Sequence, residues 1–101
     1  MGEDDMSTIR KVDPNNYNIP MKGNSMLHRN LEWYATEDDK ILGVVLQDLI
    51  DKDYSWVMLT DTPEDTPGFC AVNMDSSLSS QEEATRILHK EMLEYHKGMG
   101  G

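Results

Sequence analysis

The sequence has few of the residues that mark secreted or membrane proteins. Its one cysteine, Cys70, cannot form a disulfide within the chain, which favours a reducing, cytoplasmic setting. The continuous apolar runs, such as Val44–Leu46, are far shorter than the ~20 residues that a membrane span needs. Because the N-terminus is acidic and lacks an apolar segment, we expect no signal peptide.

Basic residues are scarce after residue 30. Residues 31–101 hold fifteen acidic and five basic side chains, whereas residues 1–30 hold four of each, and the whole chain has a formal net charge of −10. Such a surface repels phosphate backbones and anionic membranes, so we expect no direct binding of nucleic acid or membrane. It attracts a basic protein partner. Acidity that serves solubility alone remains an open alternative.

The length of 101 residues predicts one domain. Residues 1–29 show neither strand nor helix periodicity and read as an irregular N-terminal arm, which is either disordered or packed in extended form on the rest. Residues 30–101 carry the regular pattern and form the predicted domain. A chain this short has a small core, so a homodimer that shares an apolar surface is a second open alternative.

The pattern after residue 30 predicts an α+β fold: an antiparallel meander of three to four strands, followed by one C-terminal helix packed on one face (ββββα). The helix begins at a capping box, in which Ser80 and Glu83 satisfy free N–H groups of the first turn. Its apolar stripe then recurs every three to four residues. The predicted strands are 31–35, 41–47, 54–60 and 69–75.

A meander places its first and third connections at the same end of the sheet. Six acidic residues of these connections are therefore expected to crowd one end as a protein-binding surface: Glu37, Asp38, Asp39, Asp61, Glu64 and Asp65. Aromatic residues of the third predicted strand are expected to add an exposed patch if the helix covers the other face. The residues expected to form this patch are Tyr54 and Trp56.

No residue pattern predicts a catalytic centre, a cofactor or a metal site. Asp51–Ser55 alternates like the opening of a calcium loop, but Trp56 stands where that loop needs glycine, so we expect a polar turn. His89 and His96 lie about 10 Å apart along a helix axis, too far for one metal, and are expected to face solvent. Cys70 has no neighbouring base and is expected to be a buried structural thiol.

An enzyme that uses paired carboxylates is a further hypothesis, although no spacing singles out a pair. It would need a concave pocket that contains a carboxyl group of raised pKa. We expect no enzyme activity.

The chain resembles a family of small accessory proteins carried on phages, plasmids and integron cassettes. The similarity lies in Trp33-Tyr34, Ile41–Val45, Asp53–Leu59 and the Ser80-x-Glu82-Glu83-Ala84 helix start. It implies a mobile-element protein of the ββββα kind without known catalytic residues. The expected function is thus a non-enzymatic acidic module that modulates a basic or nucleic-acid-handling host protein. A homo-oligomeric structural module and an antitoxin-like protein that covers its partner are the alternatives.

Overall fold

The computed structural model describes residues 9–17, 19, 26–61 and 68–98. Five strands form one antiparallel sheet in which each strand pairs with the next one along the chain, and a C-terminal helix packs on one face. The predicted α+β fold is confirmed, with one strand more than expected. The elements are β1 (Ile9–Lys11), β2 (His28–Thr36), β3 (Ile41–Asp48), β4 (Tyr54–Asp61), β5 (Phe69–Leu78) and α1 (Gln81–Gly98).

The additional strand is β1, which pairs with the end of β2 in the register Ile9↔Thr36. The pairing continues beyond β1, because the Val12 N–H donates to the Trp33 carbonyl at 3.0 Å. An ion pair also holds β1 at this edge of the sheet, because the Arg10 guanidinium lies 2.5 Å from an Asp39 carboxylate oxygen. The residues that hold β1 in place are therefore distant from it along the chain. Its three residues are too few to show the alternation of a strand, so the sequence pattern does not predict it.

Alternating side chains give the sheet two apolar faces. On β3, Ile41 and Val45 point toward α1, whereas Leu42 and Val44 point to the opposite face. This explains why β3 is continuously apolar, as predicted. The buried cluster under α1 contains Tyr34, Ile41, Val45, Trp56, Met58, Ala84, Leu88 and Met92. The cluster on the opposite face contains Ile19, Trp33, Ala35, Leu42, Val44, Leu46, Val57 and Leu59.

Gly43 determines how closely α1 approaches the sheet. A Cβ atom at this position would lie 2.7 Å from Cδ1 of Leu88 and 2.8 Å from Sδ of Met92. These distances are shorter than any normal contact, so the absence of a side chain at Gly43 allows the helix to rest against β3. As a result, α1 lies over β3 and β4, and β1 and β2 remain beside it.

The start of α1 agrees with the predicted capping box and adds one neighbour to it. Ser80 Oγ accepts a hydrogen bond from the Glu83 N–H at 3.1 Å. The Glu83 carboxylate reaches back one residue further than expected and accepts from the Ser79 hydroxyl at 2.9 Å. Ser79 and Ser80 together thus fix the first turn of the helix.

Candidate functional site: a groove beside the helix

A groove between α1 and β2 is a concave feature of the described residues. Its volume is about 970 Å³. Glu32 and Tyr34 of β2 form its floor, and one flank of α1 from Gln81 to Lys97 forms its wall. At 1.5 Å per residue this wall is about 24 Å long. The groove exists because the close contact at Gly43 holds the helix over β3 and β4, away from β2.

The floor of the groove is a linked set of polar groups. The Tyr34 hydroxyl donates to Oε1 of Glu32, and the Lys11 ammonium lies 3.3 Å from Oε2 of the same carboxylate. Burial and the bond to Glu32 raise the pKa of Tyr34 to about 12. The hydrogen bond from Tyr34 lowers the pKa of Glu32. Glu32 is therefore an ionised acceptor at neutral pH, whereas the carboxylate-enzyme hypothesis required a raised pKa.

His89 stands between the floor and the wall. Its ring makes a T-shaped contact with Tyr34, with ring centroids 4.5 Å apart and planes at 82°. Its Nε2 atom is buried and has no hydrogen-bond partner among the described residues. Burial lowers the pKa of His89, so the imidazole is neutral at pH 7. The prediction that His89 faces solvent is wrong, because the helix flank that carries it turns toward β2.

The wall of the groove gathers bases that are scarce elsewhere. Of the five basic residues in 31–101, Arg86, Lys90 and Lys97 line it, and Glu82 and Glu94 lie on the same wall. Leu93 adds an apolar side chain at mid-length. This site was not predicted from the sequence. The sequence does contain an indication of the site. Thr85, His89 and Leu93 recur at intervals of four residues and form a second stripe along the helix, beside the apolar stripe.

The predicted acidic end of the sheet is only partly described. The hairpin between β2 and β3 carries Glu37, Asp38 and Asp39, and β4 ends at Asp61 on the same side because Ile41 pairs with Thr60. Two of these hairpin carboxylates are held by the chain itself. Asp38 Oδ2 lies 2.8 Å from His96 Nε2, and Asp39 Oδ1 accepts from the Tyr17 hydroxyl at 2.8 Å. Glu64 and Asp65 lie outside the described residues.

These contacts correct the expectation that His96 is free in solvent. His96 ties the end of α1 to the β2–β3 hairpin through Asp38. Glu37, by contrast, makes no hydrogen bond or ion pair within the described residues, so it is the hairpin acid that stays free for another molecule. The binding role of these carboxylates stays a prediction.

The expected exposed aromatic patch is not present at the predicted residues. Trp56 is 2% exposed and lies under α1, and Tyr54 is half-buried against the same cluster. Trp33 points to the opposite face, where it is buried as well. The prediction of an exposed patch assumed that the face of the sheet away from the helix is open to solvent. In the structure, Tyr17 and Ile19 pack on the face that the helix leaves uncovered.

The turn between β3 and β4 brings three carboxylates together. Oxygen atoms of Asp48, Asp51 and Asp53 lie within 4.8 Å of one another. Asp48 Oδ1 accepts from the N–H groups of Ile50 and Asp51, both at 2.8 Å, and these bonds lower the pKa of Asp48. Asp48 is thus part of the turn itself, in agreement with the predicted polar turn.

Cys70 is exposed on β5, so the expectation of a buried thiol is wrong. The reason is the position of its strand. β5 is the outer strand of the sheet, and α1 lies mainly over β3 and β4. The side chains of β5 therefore lack the cover that the central strands have on both faces.

The contact between Asp38 and His96 predicts a pH dependence of stability. The hydrogen bond from His96 lowers the pKa of Asp38 from 3.8 to about 2. A carboxyl whose pKa is lowered by folding stabilises the protein above its unfolded pKa, and this contribution disappears as the pH falls toward 2. Asp38→Asn is therefore expected to be less stable than wild type at pH 6, and the two should converge between pH 4 and pH 2 in urea unfolding. Glu37→Gln is the control for the loss of one hairpin charge, and a parallel offset for Asp38→Asn at every pH would contradict the assignment.

Comparisons with protein-family models, with curated proteins and with solved structures find no match for this chain. No helix in the described part of the chain is long and apolar enough to span a membrane.

Proposed function

We propose that this protein is a non-enzymatic binding module whose groove receives an amphipathic helix of a basic protein partner. One observation carries the proposal. The helix α1 covers only the β3–β4 half of one face of the sheet and leaves a groove of about 970 Å³ beside it. Helices with an apolar stripe are the ordinary elements that complete such a layer on a sheet. A groove of about 24 Å along α1 matches a partner helix of roughly 16 residues.

The charge layout supports a basic partner. A net charge of −10 attracts cations over a long range and accelerates their approach. The wall of the groove carries both signs, with Glu82 and Glu94 beside Arg86 and Lys90. Such a mixture of charges adds little net attraction and instead fixes the register of a bound helix. Glu37 and the neighbouring acids at the hairpin end would steer the partner toward the groove.

The groove chemistry supports binding in preference to catalysis. Glu32 is ionised and engaged with Tyr34 and Lys11, and His89 is neutral with its Nε2 atom buried. A group that exchanges protons must reach the substrate, and the buried Nε2 atom of His89 does not. We further propose that the protein is an accessory protein of a mobile element, which acts in the cytoplasm on a basic or nucleic-acid-handling host protein.

A labelled synthetic peptide tests the proposal. The probe is an amphipathic peptide of about 16 leucine and lysine residues with a helical stripe, compared with a scrambled peptide of the same composition. Fluorescence anisotropy should show tighter binding of the striped peptide. Leu93→Glu places a carboxylate in the middle of the groove and should weaken binding about tenfold, although it adds a negative charge that attracts the peptide.

Ile50→Glu is the matched control, because it makes the same charge change at a side chain that is 71% exposed on the β3–β4 turn. It should leave the affinity unchanged or slightly higher. Added salt should weaken the binding of both peptides. Equal affinities for the striped and scrambled peptides, or equal effects of the two substitutions, would reduce the interaction to nonspecific attraction and refute the groove as the binding site.

A further inference from the structure

The two edges of the sheet differ in length and charge. β1 has three residues, two of which are Arg10 and Lys11. β5 has ten residues, is exposed at every position from Cys70 to Ser77, and contains a single charged residue, Asp75. Edge strands are usually shortened or charged to prevent pairing with other chains. β1 is both short and charged, whereas β5 is long and nearly uncharged, and its protection is limited to two register shifts in its pairing with β4.

The backbone of β5 offers hydrogen-bond donors away from β4. The Met74 N–H donates to the side-chain oxygen of Asn73 at 2.9 Å, and the Ser76 N–H donates to the carboxylate of Asp75 at 2.9 Å. Each donor is thus bonded only to the side chain of the residue before it. A strand alongside β5 would supply carbonyl acceptors in regular ladder geometry instead.

Apolar side chains accompany these donors. Val72 is 42% exposed and Met74 is 63% exposed. Register shifts interrupt the pairing with β4 on both sides of the stretch from Asn73 to Asp75, which itself pairs regularly with Met58 to Trp56. The regular part of the edge is therefore short, and a contact made by it would be small and weak compared with a standard interface.

We propose that β5 pairs antiparallel with β5 of a second copy of this chain, with the two-fold axis at Asn73. Two copies that each carry a charge of −10 repel one another, and β5 is the long edge where acid is scarcest. An antiparallel edge contact is self-complementary, as a two-fold dimer requires. An axis at Asn73 places Val72 opposite the partner's Met74. It also separates the two Asp75 carboxylates, because they lie on opposite sides of the axis.

Sedimentation equilibrium between about 10 µM and about 1 mM tests the pairing, since a small interface is populated at high concentration. Wild type should shift from monomer to dimer over this range. Met74→Lys adds an edge charge of the kind that blocks strand pairing and should remain monomeric. Ile50→Lys, the same kind of change at another exposed apolar side chain, should dimerise at least as well as wild type. Circular dichroism verifies that both variants are folded.

Disulfide trapping tests the register. In a Cys70→Ser background, Asn73→Cys should form a disulfide-linked dimer under mild oxidation, because a residue on the axis faces its own copy at a Cα separation of about 4.5–5.5 Å. Ser76→Cys in the same background should not, since it lies three residues from the axis and does not face its own copy.

Three outcomes would overturn the proposal. Wild type that stays monomeric at about 1 mM excludes the self-association. A dimer that survives Met74→Lys but is lost in Leu93→Glu would place the contact in the groove. Equal trapping of Asn73→Cys and Ser76→Cys in the Cys70→Ser background would indicate random collisions in place of a defined register.

Discussion

Leu88→Ala is expected to lower the free energy of unfolding by about 2–5 kcal/mol, because it removes a fully buried side chain at the contact between α1 and β3. Domains are typically stable by about 5–15 kcal/mol, so this one change removes a large part of the total. Urea unfolding followed by tryptophan fluorescence would measure it, since Trp56 lies in the same cluster as Leu88.

A second substitution identifies the cause of this effect. Gly43→Ala alone places a methyl group 2.7–2.9 Å from the side-chain ends of Leu88 and Met92, and is expected to destabilise the protein by about 1–3 kcal/mol through overpacking. In the Leu88→Ala background most of that crowding is gone, and the new methyl group fills part of the cavity. We expect the two changes to be non-additive by at least about 0.5 kcal/mol in the favourable direction.

Leu46→Ala provides the matched control for this cycle. Leu46 is also buried, but it lies on the face of the sheet away from α1, about 10 Å along β3 from Gly43 at 3.3 Å per residue. Gly43→Ala should add to Leu46→Ala within about 0.5 kcal/mol. The same penalty for Gly43→Ala in all three backgrounds would show that the close approach of α1 at Gly43 does not restrict the packing.

The elements that could be predicted correctly are those whose pattern lies within a few consecutive residues. The β-branched run of β3, the alternation of β4 and the Ser80–Glu83 capping motif each indicate their structure within a few residues, and the structure contains all three. The strand β1 has no such signal, because its stability comes from Thr36 and Asp39 more than twenty positions away.

The strand pattern alone does not show which face of the sheet the helix covers, although one residue indicates it. An isolated glycine inside an apolar strand suggests a close backbone approach. Gly43 shares its face with Ile41 and Val45, so it marks that face as the one that receives α1. The same residue also sets the lateral position of the helix over β3. The groove beside β2 was therefore missed together with the role of Gly43, and the expected aromatic patch at Trp56 was assigned to a covered face.

Ile19→Ala is expected to lower the free energy of unfolding by about 2–5 kcal/mol, as for a core residue, although position 19 precedes the predicted domain. Ile19 is 6% exposed and packs with Trp33 and Leu42 on the face away from α1. This result would distinguish the two readings of the N-terminal arm, because loss of a side chain from a disordered segment has no such effect. Ile50→Ala is the matched control at a 71% exposed isoleucine and should stay within about 0.5 kcal/mol of wild type. Equal small effects of both substitutions would mean that the second face of the sheet does not depend on the arm for its cover.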